Sequence, residues 1–158
     1  MPPSYFERML QLAQDVFDVK NDPDQLDVNP EVLEQLQQIH PNSVCEFDDG
    51  NGPVAWVLLI PTTTELMDKF LKGKISEKLL YEMTPLNIKY DALYLCSAMV
   101  LEEYRRKGIA KRLTLDAIEK IRIAHPLKAL FVWTFSKEGD LAAEELARVT
   151  SLPLNKRK

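Results

Sequence analysis

The chain has 158 residues, a net charge of −4, 46% hydrophobic residues and 28% charged residues. This suits one domain over 1–158 with one sizeable core. It disfavours generic attraction to nucleic acid, and no apolar run approaches the ~18 residues of a membrane span. Two cysteines, Cys45 and Cys96, are too few for a disulfide framework and fall in apolar strand-like segments; a reduced, cytoplasmic setting is the simplest expectation. The first eight residues show no basic segment ahead of an apolar stretch, so no signal peptide is expected there.

In chain order, residues 4–18 predict an amphipathic helix, with Phe6, Met9, Leu10, Ala13, Val16 and Phe17 at spacings of three and four and Ser4 as N-cap. A loop over 21–24 precedes a second helix starting near Pro30 and carrying Val32, Leu33, Leu36 and Ile39 up to His40-Pro41. Residues 43–47 predict a short strand, 48–53 a hairpin turn, and 54–60 a strand buried on both faces. Thr62-Thr63-Thr64 can cap a helix over 65–71, and a further short helix runs over 76–83. An apolar strand over 91–100 follows. Next comes a helix over 108–124 with Ile109, Leu113, Ala117 and Ile121 on one face, then a buried strand over 129–135. The last helix, 140–149, turns Leu141, Ala142, Leu146 and Val149 inward, and the tail Lys156-Arg157-Lys158 reads as a solvated terminus. Helices and a hairpin first, then alternating strands and helices, predict an α/β fold with a mixed sheet and helices on both faces. The connection from the 91–100 strand to the 129–135 strand is long enough for a parallel crossover.

One local departure from the acidic background carries chemistry. Five of the eight residues from Arg105 to Arg112 are basic, and they follow a buried strand and open a helix at Gly108. The first amides of a helix have no intrahelical partner, and the helix dipole makes that end positive. The result is an anion site. Gly108 lets backbone approach a phosphate, Ala110 avoids obstructing it, and Arg105, Arg106 and Lys107 add charge. The competing reading is a solvated basic turn before an ordinary helix.

The segment Val100-Leu101-Glu102-Glu103-Tyr104-Arg105-Arg106-Lys107-Gly108-Ile109-Ala110 resembles the acetyl-CoA-binding segment of the GNAT superfamily of N-acetyltransferases, whose signature is Q/R-x-x-G-x-G/A. Arg105, Gly108 and Ala110 fill its defined positions. The resemblance implies a mixed, mostly antiparallel sheet with a central parallel strand pair splayed for acyl-CoA. It implies that amides from Arg105 to Lys111, including Arg106, Lys107 and Ile109, hold a pyrophosphate, and that main chain at Met99 and Val100 pairs with the pantetheine arm. Ser136 and Lys137 correspond to a region that often contacts the cofactor, though an ordinary strand-end turn explains them equally. The implied partners are acetyl-CoA, with no metal, and a primary amine of a small molecule or protein; a homodimer is compatible.

The chain departs from the family pattern in four places. It opens almost directly in the first helix, so the sheet is expected to lack that edge strand. Ala147 stands where many members have a tyrosine, and Tyr94 stands where some have a glutamate. The stretch from Thr62 to Lys89 is longer than the usual connection. Acyl transfer to an amine needs a base, a polarised thioester carbonyl and a route for the thiolate. Tyr94, Glu102 and Glu103 are the catalytic candidates, with Asp91 behind them; for each carboxylate the alternative is a solvated charge, and for Tyr94 a core position. Cys96 has no histidine near it in sequence to activate it as a nucleophile. His40 and His125 each precede a proline at a helix end and make no metal signature. Two alternatives to the enzyme remain: a noncatalytic acyl-CoA sensor, and nucleic-acid binding through Arg105–Arg112, which the charge opposes.

Overall fold

A computed structural model describes residues 4–5, 7–12, 30–134 and 136–157. Residues 5 and 7–12 are helical; residues 6 and 13–18 of the predicted first helix, the 21–24 loop and Phe135 lie outside the described residues. Helix α1 (Pro30–Ile39) is followed by strands β1 (Val44–Asp48) and β2 (Pro53–Thr62), then helices α2 (Thr64–Leu71) and α3 (Glu77–Met83). Strand β3 (Ala92–Val100), helix α4 (Ile109–Ala124), strand β4 (Ala129–Val132), helix α5 (Lys137–Thr150) and strand β5 (Leu154–Lys156) complete the order.

The helix boundaries follow local chemistry. Thr63 Oγ1 accepts the Leu66 amide at 3.2 Å, Ser76 Oγ the Leu79 amide at 3.0 Å, and Ser136 Oγ the Gly139 amide at 3.0 Å. Each satisfies a donor that the helix itself cannot. At the β1–β2 hairpin, Asp48 Oδ1 accepts from the amides of Gly50 and Gly52 at 2.7 and 3.1 Å.

The sheet has five strands in the order β1-β2-β3-β4-β5. The pairs β1–β2 and β2–β3 are antiparallel, and β3–β4 and β4–β5 are parallel. Every residue of β2 is buried, as expected for an apolar strand covered on both faces. Trp56, Leu58 and Ile60 face one core, shared with Met9, Leu36, Phe70 and Leu80 of the helices before β3. Val57 and Leu59 face the other, shared with Ala117, Ile118 and Ile121 of α4.

Two predicted helix faces and one terminus are corrected. On α4 the buried positions are Thr114, Ala117, Ile118 and Ile121, while Ile109 and Leu113 are only half-buried. On α5, Ala143 and Leu146 are buried and Leu141 is 55% exposed, so the helix is rotated from the expected face. The tail is not a solvated terminus: Leu130, Phe131 and Val132 pair with Leu154, Asn155 and Lys156, which makes the tail an edge strand. β5 gives the sheet as many parallel pairs as antiparallel ones. Its sequence lacked the β-branched run that marks a strand, so only the exposed edge of β4 could reveal it.

Candidate functional site

β3 and β4 pair only over Ala92–Tyr94 and Ala129–Phe131. β3 continues to Val100, while β4 ends at Val132. The strands therefore part just beyond Tyr94 and Phe131. A β-bulge marks the same place: the register with β2 passes from Leu59↔Leu95 to Leu58↔Ser97, which makes Cys96 the inserted residue. A bulge bends its strand and re-aims its side chains. Before it, Ala92, Tyr94 and Cys96 share one core; after it, Met99 and Leu101 occupy that core. Strict alternation along the strand would put Tyr94 on one face with Ala98 and Val100; the bulge changes the phase and separates them.

The bulge also decides which main-chain groups face the gap. Leu101 N–H donates to Val54 O at 2.9 Å, toward β2. Antiparallel ladders alternate, so Met99, opposite Trp56, turns its main chain to β2 as well. Ala98 and Val100 turn theirs to the open edge. Val100 O there accepts from Arg105 Nε at 2.9 Å. Geometry therefore keeps Val100 as a main-chain candidate and replaces Met99 with Ala98. A cleft of about 270 Å³ occupies the gap, lined by Cys96, Ser97, Ala98, Trp133, Thr134 and Ser136 among others.

The basic turn opens at the C-terminal end of β3. Gly108 is the N-cap of α4 with φ +75°, a left-handed conformation that glycine adopts at low cost. Among the described residues, no atom beyond Gly108's own chain neighbours and the backbone of its helix lies within 4 Å of the position where a Cβ on Gly108 would stand. Arg106 also has positive φ, +65°. The first helical bond runs from Arg112 N–H to Gly108 O at 3.0 Å, so the amides of Ile109, Ala110 and Lys111 precede the ladder. A left-handed glycine, open space above it and a helix start fit an approaching phosphate.

The side chains around the turn are arranged unequally. Arg105 is tied back to β3, and Lys107 Nζ lies 5.4 Å from the centroid of the Tyr104 ring. Lys111 Nζ is 3.1 Å from Glu145 Oε1, linking α4 to α5. Hydrogen bonds from Arg148 and then Lys111 hold the Glu145 carboxyl down to about 2. Ser136 lines the cleft and caps α5 with its hydroxyl, and Lys137, exposed, begins that helix.

The catalytic candidates fare differently. Tyr94 is fully buried and its hydroxyl donates to Glu77, also fully buried. Burial, and then the Glu77 charge, push the phenol well above its usual range. Neither residue lines the cleft; Tyr94 packs on Phe70 and Phe131, with ring centroids 5.0 Å away in each case. The Glu103 carboxylate is committed to Arg8, with both oxygens engaged at 2.6 and 2.8 Å. That hydrogen bonding lowers it to about 2, which weakens it as a base. Glu102 is exposed on a short 3-10 turn. Asp91 accepts from the Thr64 amide at 2.8 Å at the start of α2, just before β3 and at the opposite end of that strand from the basic turn.

Sequence reasoning missed Arg157, Glu77 and Thr134. Arg157 Cζ stands 4.4 Å from the Trp133 ring centroid and 4.5 Å from that of Phe70. Thr134 lines the cleft and donates to Asp140. No motif marks them: strand β5 brings in Arg157 and the long 62–89 connection brings in Glu77, while Thr134 sits just past the end of β4 with no local signal. Among the described residues, no group of three or more His, Cys, Asp or Glu side chains is placed to hold a metal ion, and no helix is long and apolar enough to cross a membrane. Cys45 and Cys96 form no disulfide.

A mixed sheet parted at a bulge, with a helix N-terminus opening beside the gap, is the architecture of an α/β acetyltransferase. The family model for the acetyltransferase (GNAT) family matches residues 6–148. The chain belongs to that family. No curated protein matches it significantly.

Proposed function

We propose that this chain is an acetyl-CoA-dependent N-acetyltransferase that transfers the acetyl group to a primary amine by direct attack in a ternary complex. The observation that carries the reading is the coincidence, at one end of the sheet, of the Cys96 bulge with the open left-handed turn at Gly108. Bound acetyl-CoA would supply an activated thioester. The amides of Ile109, Ala110 and Lys111, with Arg106 and Lys107, would hold its pyrophosphate. The outward main chain of Ala98 and Val100 would hold the pantetheine arm and orient the carbonyl. Ser136 lines the cleft, and Lys137 next to it would contact the same ligand. The amine must arrive neutral or lose its proton through water, with Glu102 as the exposed carboxylate nearest the strand end in sequence. We place the whole of 1–158 in this one domain and the activity in the cytoplasm, consistent with cysteines that form no disulfide.

A noncatalytic acyl-CoA sensor is the second reading. The burial of Tyr94 and the engagement of Glu103 by Arg8 favour it, because neither is placed in the cleft as a free catalytic group. Calorimetric titration with acetyl-CoA tests both readings together, and no binding at saturating ligand overturns both. Release of coenzyme A in the presence of a panel of amines separates them. Turnover with any amine establishes the enzyme; binding without turnover across the panel establishes the sensor.

A further inference from the structure

The cleft between β3 and β4 does not stay on one side of the sheet. Val57 and Leu59 line it and belong to the core under α4, whereas Leu58 and Cys96 also line it and belong to the opposite core. Trp133 lines it too, and packs against that opposite core. The opening therefore passes through the plane of the sheet and meets Trp133 on the far side.

Trp133 is half-buried, and the side of its ring away from solvent is backed by an aromatic layer. Phe70 meets its ring edge-on, with centroids 6.1 Å apart and planes at 80°. The Arg157 guanidinium covers both rings, 4.4 Å from Trp133 and 4.5 Å from Phe70. Behind them Phe70 packs on Tyr94 and Phe131 at 5.0 and 5.8 Å, and all three are fully buried. Interiors packed this closely do not yield to added methylenes without displacing their neighbours.

We infer that Trp133, held in place by Arg157 from the C-terminal strand, is the wall that restricts the donor to short acyl groups. The inference rests on the acyl-CoA reading above. A chain entering the gap from the α4–α5 side ends against the indole, so each carbon added beyond a short acyl group must move Trp133 into the filled aromatic layer. Arg157 is a positioning residue here: it touches Trp133 and not the cleft.

The test is calorimetric titration of the full chain with coenzyme A, acetyl-CoA and octanoyl-CoA, read as the octanoyl-to-acetyl ratio of Kd within each variant. The wild type is expected to bind octanoyl-CoA at least ten-fold more weakly than acetyl-CoA. Trp133→Ala is expected to bring the ratio close to one. Should Trp133→Ala fail to fold, Trp133→Phe, titrated with butanoyl-CoA, is expected to lower the butanoyl-to-acetyl ratio. Equal affinity of the wild type for octanoyl- and acetyl-CoA, or a ratio unchanged in the folded variant, overturns the wall. Failure of the wild type to bind coenzyme A itself is a different result, and it overturns the functional reading on which the wall depends.

Discussion

The Arg157 guanidinium lies over the Trp133 ring, 4.4 Å from its centroid, and joins the last described residue of the chain to the end of β4. Its main chain continues the contact, since Arg157 N–H donates to Val132 O at 2.9 Å. Arg157→Ala removes the stacking and keeps the amide. Contacts of this kind contribute about 0.5–2 kcal/mol, so the variant is expected to unfold a few degrees below the wild type. Thermal unfolding followed by circular dichroism checks this; an unchanged Tm means the stack adds no stability.

Gly108→Asp is expected to abolish acetyl-CoA binding while leaving a folded protein. The φ of +75° costs an L-residue roughly 1–2 kcal/mol, and the open space around the Cβ position leaves room for the side chain. A carboxylate at that point opposes a phosphate directly. Titration of the folded variant with acetyl-CoA decides the matter, and undiminished affinity would remove the phosphate site from this turn.

Tyr94→Phe separates a core role from a catalytic one. The substitution deletes a hydroxyl that donates to the buried Glu77 carboxylate, and removing one member of a buried hydrogen bond costs about 1–3 kcal/mol. Stability is expected to fall, while acetyl transfer per folded molecule stays within a few-fold of wild type. A collapse of turnover with stability intact would restore Tyr94 to the mechanism.

Two histidines make stability depend on pH. Nδ1 of His125 accepts the Tyr90 amide at 3.1 Å, Nδ1 of His40 accepts the Asn42 amide at 3.0 Å, and the rings meet edge-on at 5.5 Å. Burial lowers both from 6.5; His125 adds to this at His40, and Lys89 at His125. The folded state thus takes up protons less readily than the unfolded state. The stabilisation is complete above the unfolded value near 6.5 and is lost as pH falls through that value toward the lowered ones. Tm is expected to drop between pH 7.5 and 5.5. In His125→Asn, where an amide oxygen can accept from Tyr90, the drop should be shallower; an equal slope in the variant would place the effect elsewhere.

The elements were largely legible in the chain because local signals agreed. Thr63, Ser76 and Ser136 cap helices as short polar residues do, and the apolar run of β2 demanded burial on both faces. The basic turn was legible as well, since a glycine after a buried strand and before a helix is a purely local arrangement. Exposure of Leu141 and the shift of the α4 face from Ile109 and Leu113 to Thr114 and Ile118 were not legible. Periodicity fixes the spacing of an apolar stripe, but its rotation depends on what the neighbouring sheet offers.

By itself, then, the sequence determined an α/β chain with a basic turn at Arg105–Ala110 between a strand and a helix, because caps, strand runs and glycine conformations act over a few residues. Only the tertiary structure decided that Cys96 is a bulge, that the main chain of Ala98 faces the gap in place of Met99, and that Arg157 returns to back Trp133. Each of these depends on register or on pairing between segments far apart in the chain. A one-residue shift of register exchanges the two faces of a strand with no local mark in its residues.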